Sequence, residues 1–205
     1  VTFLGVDENG QIRLDELEKA IREETILISI MFANNEIGTI QPIKEIAEIA
    51  KKHNVYFHTD GVQAVGSLKI DVKELGVDIL WIMPIQPISQ LNRKGELGSY
   101  YAVADYLAVN PEFGSLGDFK NMVKQAHSLG MKVMIGWVAN HTGCDNIWIE
   151  EHPTWYEYED GKFVSPWDWT DTYSLDYDND EMREGMIDAM KFWVKDMDID
   201  GFRCD

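Results

Sequence analysis

From Arg13 to Cys204, stretches of helical period alternate with short apolar runs, and that alternation limits the chain to folds built from parallel βα units. Arg13 to Arg22 places Leu14, Leu17 and Ile21 on one helical face. Thr25 to Phe32 (TILISIMF) is a continuous β-rich run, the pattern of a strand covered on both sides. Pro42 opens a helix with Ile43, Ile46, Ala47 and Ala50 on one stripe, and Lys51 and Lys52 suit its C-terminal dipole. Val55 to Thr59 and Ile79 to Ile85 read as strands. Ser115 and Asp118 form a capping box for a helix that buries Leu116, Phe119, Val123 and Ala126, and Gly130 stops it. Lys132 to Val138 is a strand. A last helix carries Met182, Met186, Ala189, Trp193 and Met197 on one face, and a strand begins at Gly201. The pattern fits an open sheet or part of a barrel.

The formal charge of −18 argues against nucleic acid, whose phosphates require a basic face. No apolar run approaches the roughly 20 residues of a membrane span. Cys144 and Cys204 have no metal-binding or redox spacing, which suits ordinary thiols in a cytoplasmic protein. No Met precedes Val1, so the start reads as a cut edge. All seven Trp lie at Trp81 or later, a composition step that suggests two segments of different origin.

In the first segment, NNEIG (Asn34 to Gly38) and HTDGVQ (His58 to Gln63) each follow a strand, where α/β sheets bind ligands. An Asp there can pair with a protonated ring nitrogen of a cofactor; Asp60 equally suits a helix cap, and Asn35 a loop. The stretches VDENGQIRLDELEKAI, SIMFANNEIGTIQPIKEIAEIAKKH, VYFHTDGVQAVG and IDVKELGVDIL resemble the middle of a cysteine desulfurase, a pyridoxal-phosphate enzyme of aminotransferase class V. The resemblance implies that Asp60 pairs with the pyridine nitrogen, while Asn35 and Gln63 contact the ring oxygen. Gly61 stands where that family usually has Ala. Where it continues to a Ser-x-His-Lys motif carrying the Schiff-base lysine, this chain reads WIMPIQPI. The implied binding of pyridoxal phosphate is therefore noncovalent and weak.

In the second segment, GVDILWIMPI, GMKVMIGWVANHT and DIDGFRCD place polar or aromatic groups at strand ends, where βα barrels carry function. Tyr101 and Trp137 can stack on the apolar face of a sugar ring, although Trp137 in a strand also suits a core. His141 equally suits a structural hydrogen bond, and the loop from Trp148 to Tyr177 a simple cover. Together with LGSYYAVADYLAVNPEFGSLGDF these stretches resemble the α-amylase family of glycoside hydrolases, in its neopullulanase- and oligo-glucosidase-like branch. The resemblance implies a partial (β/α)8 barrel in which Tyr101 stacks on the sugar ring and His141 bonds its hydroxyls. It further implies that Asn140 belongs to a weak calcium site, that Arg203 orients, and that Asp205 is the nucleophile. Gly136 stands where the family's first region has Asp, and Ser174-Leu175-Asp176 where it has Asp-Leu-Asp or Asp-Leu-Asn. The sequence stops at Asp205, so the general-acid Glu and the transition-state Asp of later strands are expected to be missing, and efficient turnover with them.

The word KELGVDIL (Lys73 to Leu80) suits both families, since each has a helix ending in Glu-Leu-Gly before a strand opening Val-Asp-Ile-Leu. Recombination at that word, an assembly artefact or design all fit it. The expected fold is α/β, with alternating parallel βα units: a partial aminotransferase-type sheet (residues 1–76) joined to a partial TIM barrel (77–205). The barrel is expected to include a domain-B-like loop at about 143–179. Three readings stay open: a fragment that binds an α-glucan oligosaccharide, one that binds pyridoxal phosphate, and a chimera without activity. Open strand edges also invite self-association.

Overall fold

The computed structural model describes all 205 residues, which form two compact units, Val1–Val77 and Asp78–Asp205. The first contains α1 (Leu14–Ala20), β1 (Leu27–Ser29), α2 (Ile43–Lys52) and β2 (Tyr56–His58). α1 is shorter than its periodicity suggests, because Ile21 is already extended at φ −71° and ψ 130°. β1 and β2 pair in parallel, Ile28 opposite Phe57. Leu17, Ile28, Ile43, Ile46, Ala50 and Val55 form one core on the helix-covered side. The two-sided burial expected for Thr25 to Phe32 is not observed. Leu27 and its register partner Tyr56 are 54% and 81% exposed, because neighbouring side chains point to opposite faces and the helices pack on the Ile28 side. The buried Gln41 amide donates to the Gly10 carbonyl at 2.8 Å and accepts from the Ile12 N–H at 3.1 Å. It thereby ties the segment before α1 to the entry of α2.

The second unit contains β3 (Ile79–Ile82), α3 (Leu116–Ser128), β4 (Lys132–Trp137), β5 (His141–Gly143), α4 (Ile147–Glu151), β6 (Tyr158–Glu159), β7 (Lys162–Phe163), β8 (Thr172–Ser174), α5 (Asp180–Lys195) and β9 (Gly201–Cys204). Its main sheet is parallel, in the order β3-β4-β9, with helical connections as in a barrel segment. The capping box of α3 forms: Ser115 Oγ accepts from the Asp118 N–H at 3.2 Å, and the Asp118 carboxylate accepts from the Ser115 N–H at 2.9 Å. Phe119, Val123 and Ala126 of α3 are buried, as are Met182, Met186, Ala189 and Trp193 of α5. Phe119 and Trp193 meet edge to face at 5.4 Å.

Residues 141–174 are a structured insertion, held by the antiparallel pairing of β5 with β8. Trp148, Trp155 and Tyr156 give it a small core of its own. Tyr106, buried, fixes its root: the hydroxyl lies 2.7 Å from the Val138 carbonyl and 3.0 Å from that of His141. Burial pushes that phenol's pKa well above the ordinary value, so it stays a neutral donor. Asp145 organises the facing loop by accepting from the Gln90 and Leu91 N–H groups at 2.8 and 3.0 Å.

Candidate functional site

Parallel strands bring their carboxyl ends to one side, and a cleft of about 80 Å³ lies there in the second unit. β3 supplies Trp81 and, just past its end, Met83 and Pro84. β4 supplies Gly136 and Trp137, β9 supplies Arg203, Asp205 follows it, and Tyr101 enters from the β3–α3 connection. Alternation explains the β3 contribution: Ile79, Trp81 and Met83 share the exposed face, while Leu80 and Ile82 turn inward.

The polar end is an Arg–Asp pair. Arg203 Nη1 bonds Asp205 Oδ1, and its guanidinium lies 5.5 Å from the centroid of the Trp81 ring, within cation–π reach. The Asp205 N–H donates to the Trp137 carbonyl at 3.0 Å, continuing the β4–β9 ladder past the last strand residue. Asp205 is the one carboxylate lining the cleft. Trp137 is 1% exposed, its indole N–H on Met186 Sδ at 3.3 Å, so it is a core residue presenting an edge to the cleft.

His141 is 1% exposed and its Nδ1 has no hydrogen-bond partner. Burial lowers its pKa, against the opposing influence of the Tyr101 backbone, Asp205 and Asp171. Trp169 lies edge-on to the imidazole at 5.4 Å.

The sequence candidates thus divide. Tyr101, Arg203 and Asp205 come together in one cleft, whereas His141 is buried and does not line it. Asn140 does not line it: the residue is exposed, and its backbone carbonyl accepts from the Leu175 N–H at 3.2 Å. The calcium donor set does not fit. A Cβ at Gly136 stands 2.8 Å from Pro84 Cδ, so an acid has no room there, and no three His, Cys, Asp or Glu side chains cluster in a way that could hold a metal ion. Trp81, Met83 and Pro84 lie in the stretch GVDILWIMPI but were not singled out as site residues; the alternation after Ile79 was the available signal.

Asn35, Asp60 and Gln63 lie in the first unit, on the segments after β1 and β2, and all three are exposed. Asp60 Oδ1 accepts from the Val62 N–H at 2.9 Å, a local turn bond, and the Asn35 amide faces Glu36 Oε1 at 3.4 Å. No lysine occurs between Val77 and Asn92 to form a Schiff base. These residues do not fit pyridoxal phosphate as they stand.

Residues 1–83 match the aminotransferase class-V family, and residues 67–174 match the alpha amylase catalytic domain. The cysteine desulfurase IscS of Methanosarcina thermophila is 68% identical over 80 residues, 39% of this chain and 20% of that protein. An alpha-amylase from Lactobacillus plantarum superposes with a TM-score of 0.63 and 35% identity, covering 88% of this chain and 38% of that one. A maltogenic alpha-amylase from Thermotoga neapolitana gives a TM-score of 0.63 and 33% identity, covering 88% and 39%. The chain thus spans about a fifth of the curated desulfurase and under two-fifths of the solved amylases. It joins fragments of two enzymes, and through the longer fragment it belongs to the alpha-amylase family.

Proposed function

We propose that the second unit binds a glucosyl ring of an α-glucan in the cleft and does not hydrolyse it efficiently. The observation that carries this reading is the convergence of Tyr101, from the β3–α3 connection, with Arg203 and Asp205, on and just past β9, at the carboxyl ends of the parallel strands. Aromatic surface meets the ring's C–H face, and Arg203 and Asp205 meet its hydroxyls. Turnover needs more. Retaining glycosidases use two carboxyl groups about 5 Å apart, one attacking and one protonating the leaving oxygen. Asp205 alone lines this cleft, so a glycosidic oxygen departs without its proton and the barrier stays high. The formal charge of −18 and the two free thiols favour a neutral ligand and a reducing compartment such as the cytoplasm. No helix is long and apolar enough to cross a membrane.

Maltotriose titration followed by saturation-transfer NMR tests the reading. Millimolar or tighter binding that weakens at least tenfold in Tyr101→Ala is expected. Absence of binding at millimolar ligand, or binding indifferent to Tyr101, overturns it.

A further inference from the structure

Arg203 needs more than its ion pair to hold still. Its partner Asp205 lies two residues on along the same strand end, and both side chains are partly exposed, a setting in which ion pairs fix little. The Asp205 main chain is pinned by its N–H on the Trp137 carbonyl. Its carboxylate takes its direction from the guanidinium it bonds.

Strand register shows what supplies the rest. Trp81 stands opposite Met134, Met134 opposite Gly201, and Gly136 opposite Arg203. Alternation puts Trp81, Met134, Gly136 and Arg203 on one face of the sheet, with Trp81 two strands away and one row behind Arg203. Neighbouring strands lie about 4.8 Å apart, so Arg203 has to cross β4 to touch the indole. It does so, with its guanidinium 5.5 Å from the ring centroid. Gly136, in Arg203's own row, puts no side chain in the way. Glycine opens the crossing and Trp81 receives it.

We propose that Trp81 is a positioning residue: its indole face fixes the Arg203 guanidinium, and through it the Asp205 carboxylate, at the cleft before any ligand enters. The consequence for binding rests on the glucan reading above; the placement of Arg203 does not. Cation–π attraction at a part-exposed indole translates to roughly 2–5-fold in affinity.

The test uses the full chain, first without ligand. Trp81→Phe keeps a weaker aromatic face, and Trp81→Leu keeps apolar bulk with none. Arg203 is assigned with Arg203→Lys, and its δ-methylene shifts and Nε–H heteronuclear NOE are compared by NMR. In the wild type the δ-methylene is expected upfield, under the indole ring current, with an NOE matching that of the β9 backbone. Trp81→Phe is expected to retain part of both. Trp81→Leu, shown to be folded by its thermal midpoint, is expected to lose both and to bind maltotriose roughly 2–5-fold more weakly. Random-coil Arg203 shifts in the wild type overturn the proposal with no variant needed. Equal Arg203 signals in the wild type and Trp81→Leu overturn it too, as does a released guanidinium with unchanged maltotriose affinity. A wild type that binds no sugar overturns the glucan reading alone, and the ligand-free signals still decide the placement.

Discussion

Replacing Gly136 by alanine probes why this cleft has no acid at its β4 wall. A Cβ built there stands 2.8 Å from Pro84 Cδ, 3.0 Å from Pro84 N and 3.2 Å from Pro84 Cγ, where ordinary contact begins near 3.4 Å. All three neighbours are atoms of the pyrrolidine ring with no rotamer to yield, so the strand or the loop after β3 must shift. Overpacking of this kind costs about 1–3 kcal/mol, and the loss of backbone freedom in the unfolded chain returns about 0.4–1 kcal/mol. The net destabilisation is roughly 0.5–2 kcal/mol, or roughly 2–8 °C in the thermal midpoint of a chain this size. Gly201→Ala is the control: in register with Met134 on the neighbouring strand, its Cβ meets Met134 Cγ at an ordinary 3.5 Å, so it should be neutral or gain up to about 1 kcal/mol. Thermal melts by circular dichroism measure both. Pro84→Ala removes the two ring carbons, so a double-mutant cycle should return a coupling of at least about 0.5 kcal/mol. If Gly136→Ala melts with the wild type, or the cycle shows no coupling, the steric account is wrong.

Three other outcomes follow from the same contacts. Asp200 accepts from the Val133 N–H at 2.9 Å and pairs with Lys132 and His127, each at 2.7 Å. Burial pushes its carboxyl up, but Lys132, the Val133 N–H and His127 more than reverse this, taking it from 3.8 to about 2. A folded value below the unfolded one stabilises above the unfolded value and is lost as pH falls through the folded one. Asp200→Asn should therefore flatten the fall in thermal midpoint between about pH 4 and 2 and cost roughly 1–2 kcal/mol at neutral pH, discounted because the side chain is 21% exposed; an unchanged pH profile contradicts this. Tyr106→Phe strips the donor from the Val138 and His141 carbonyls and should cost about 1–3 kcal/mol in urea unfolding while weakening glucan binding. Pyridoxal phosphate should give the same absorbance spectrum with Asp60→Ala as with the wild type, and a band lost in the variant would show a cofactor site that the turn bond to Val62 does not suggest.

Local signals carried the fold well. Ser115 and Asp118 announced their helix because a capping box is complete within four residues. The buried stripes of α2, α3 and α5 followed from a period of 3.6. What depended on partners was harder to read. An apolar run such as TILISIMF states that its residues prefer burial, not whether an element arrives to cover each side, and Leu27 and Tyr56 are left open. Trp137 could be core or sugar platform until Met186 appeared against its indole. In the site, Tyr101, Arg203 and Asp205 were legible as motifs. The Gly136–Pro84 contact was not, since it arises from backbone geometry that residue identities do not encode.

The boundary between the compact units falls between Val77 and Asp78, inside residues 67–83 that both family matches claim. The hydrogen bonds on either side of it point away from each other. The Val77 N–H donates to the Val72 carbonyl at 3.0 Å, while the Asp78 carbonyl accepts from the Lys132 N–H at 2.8 Å. The first bond stays within the first unit and the second within the second unit. A crossover at that peptide therefore asks neither parent to supply the other's missing partner. Any βα protein carrying the same helix-end and strand-start phrase could exchange modules there without breaking either of these two bonds, which makes a short shared word a natural splice point between otherwise unrelated enzymes.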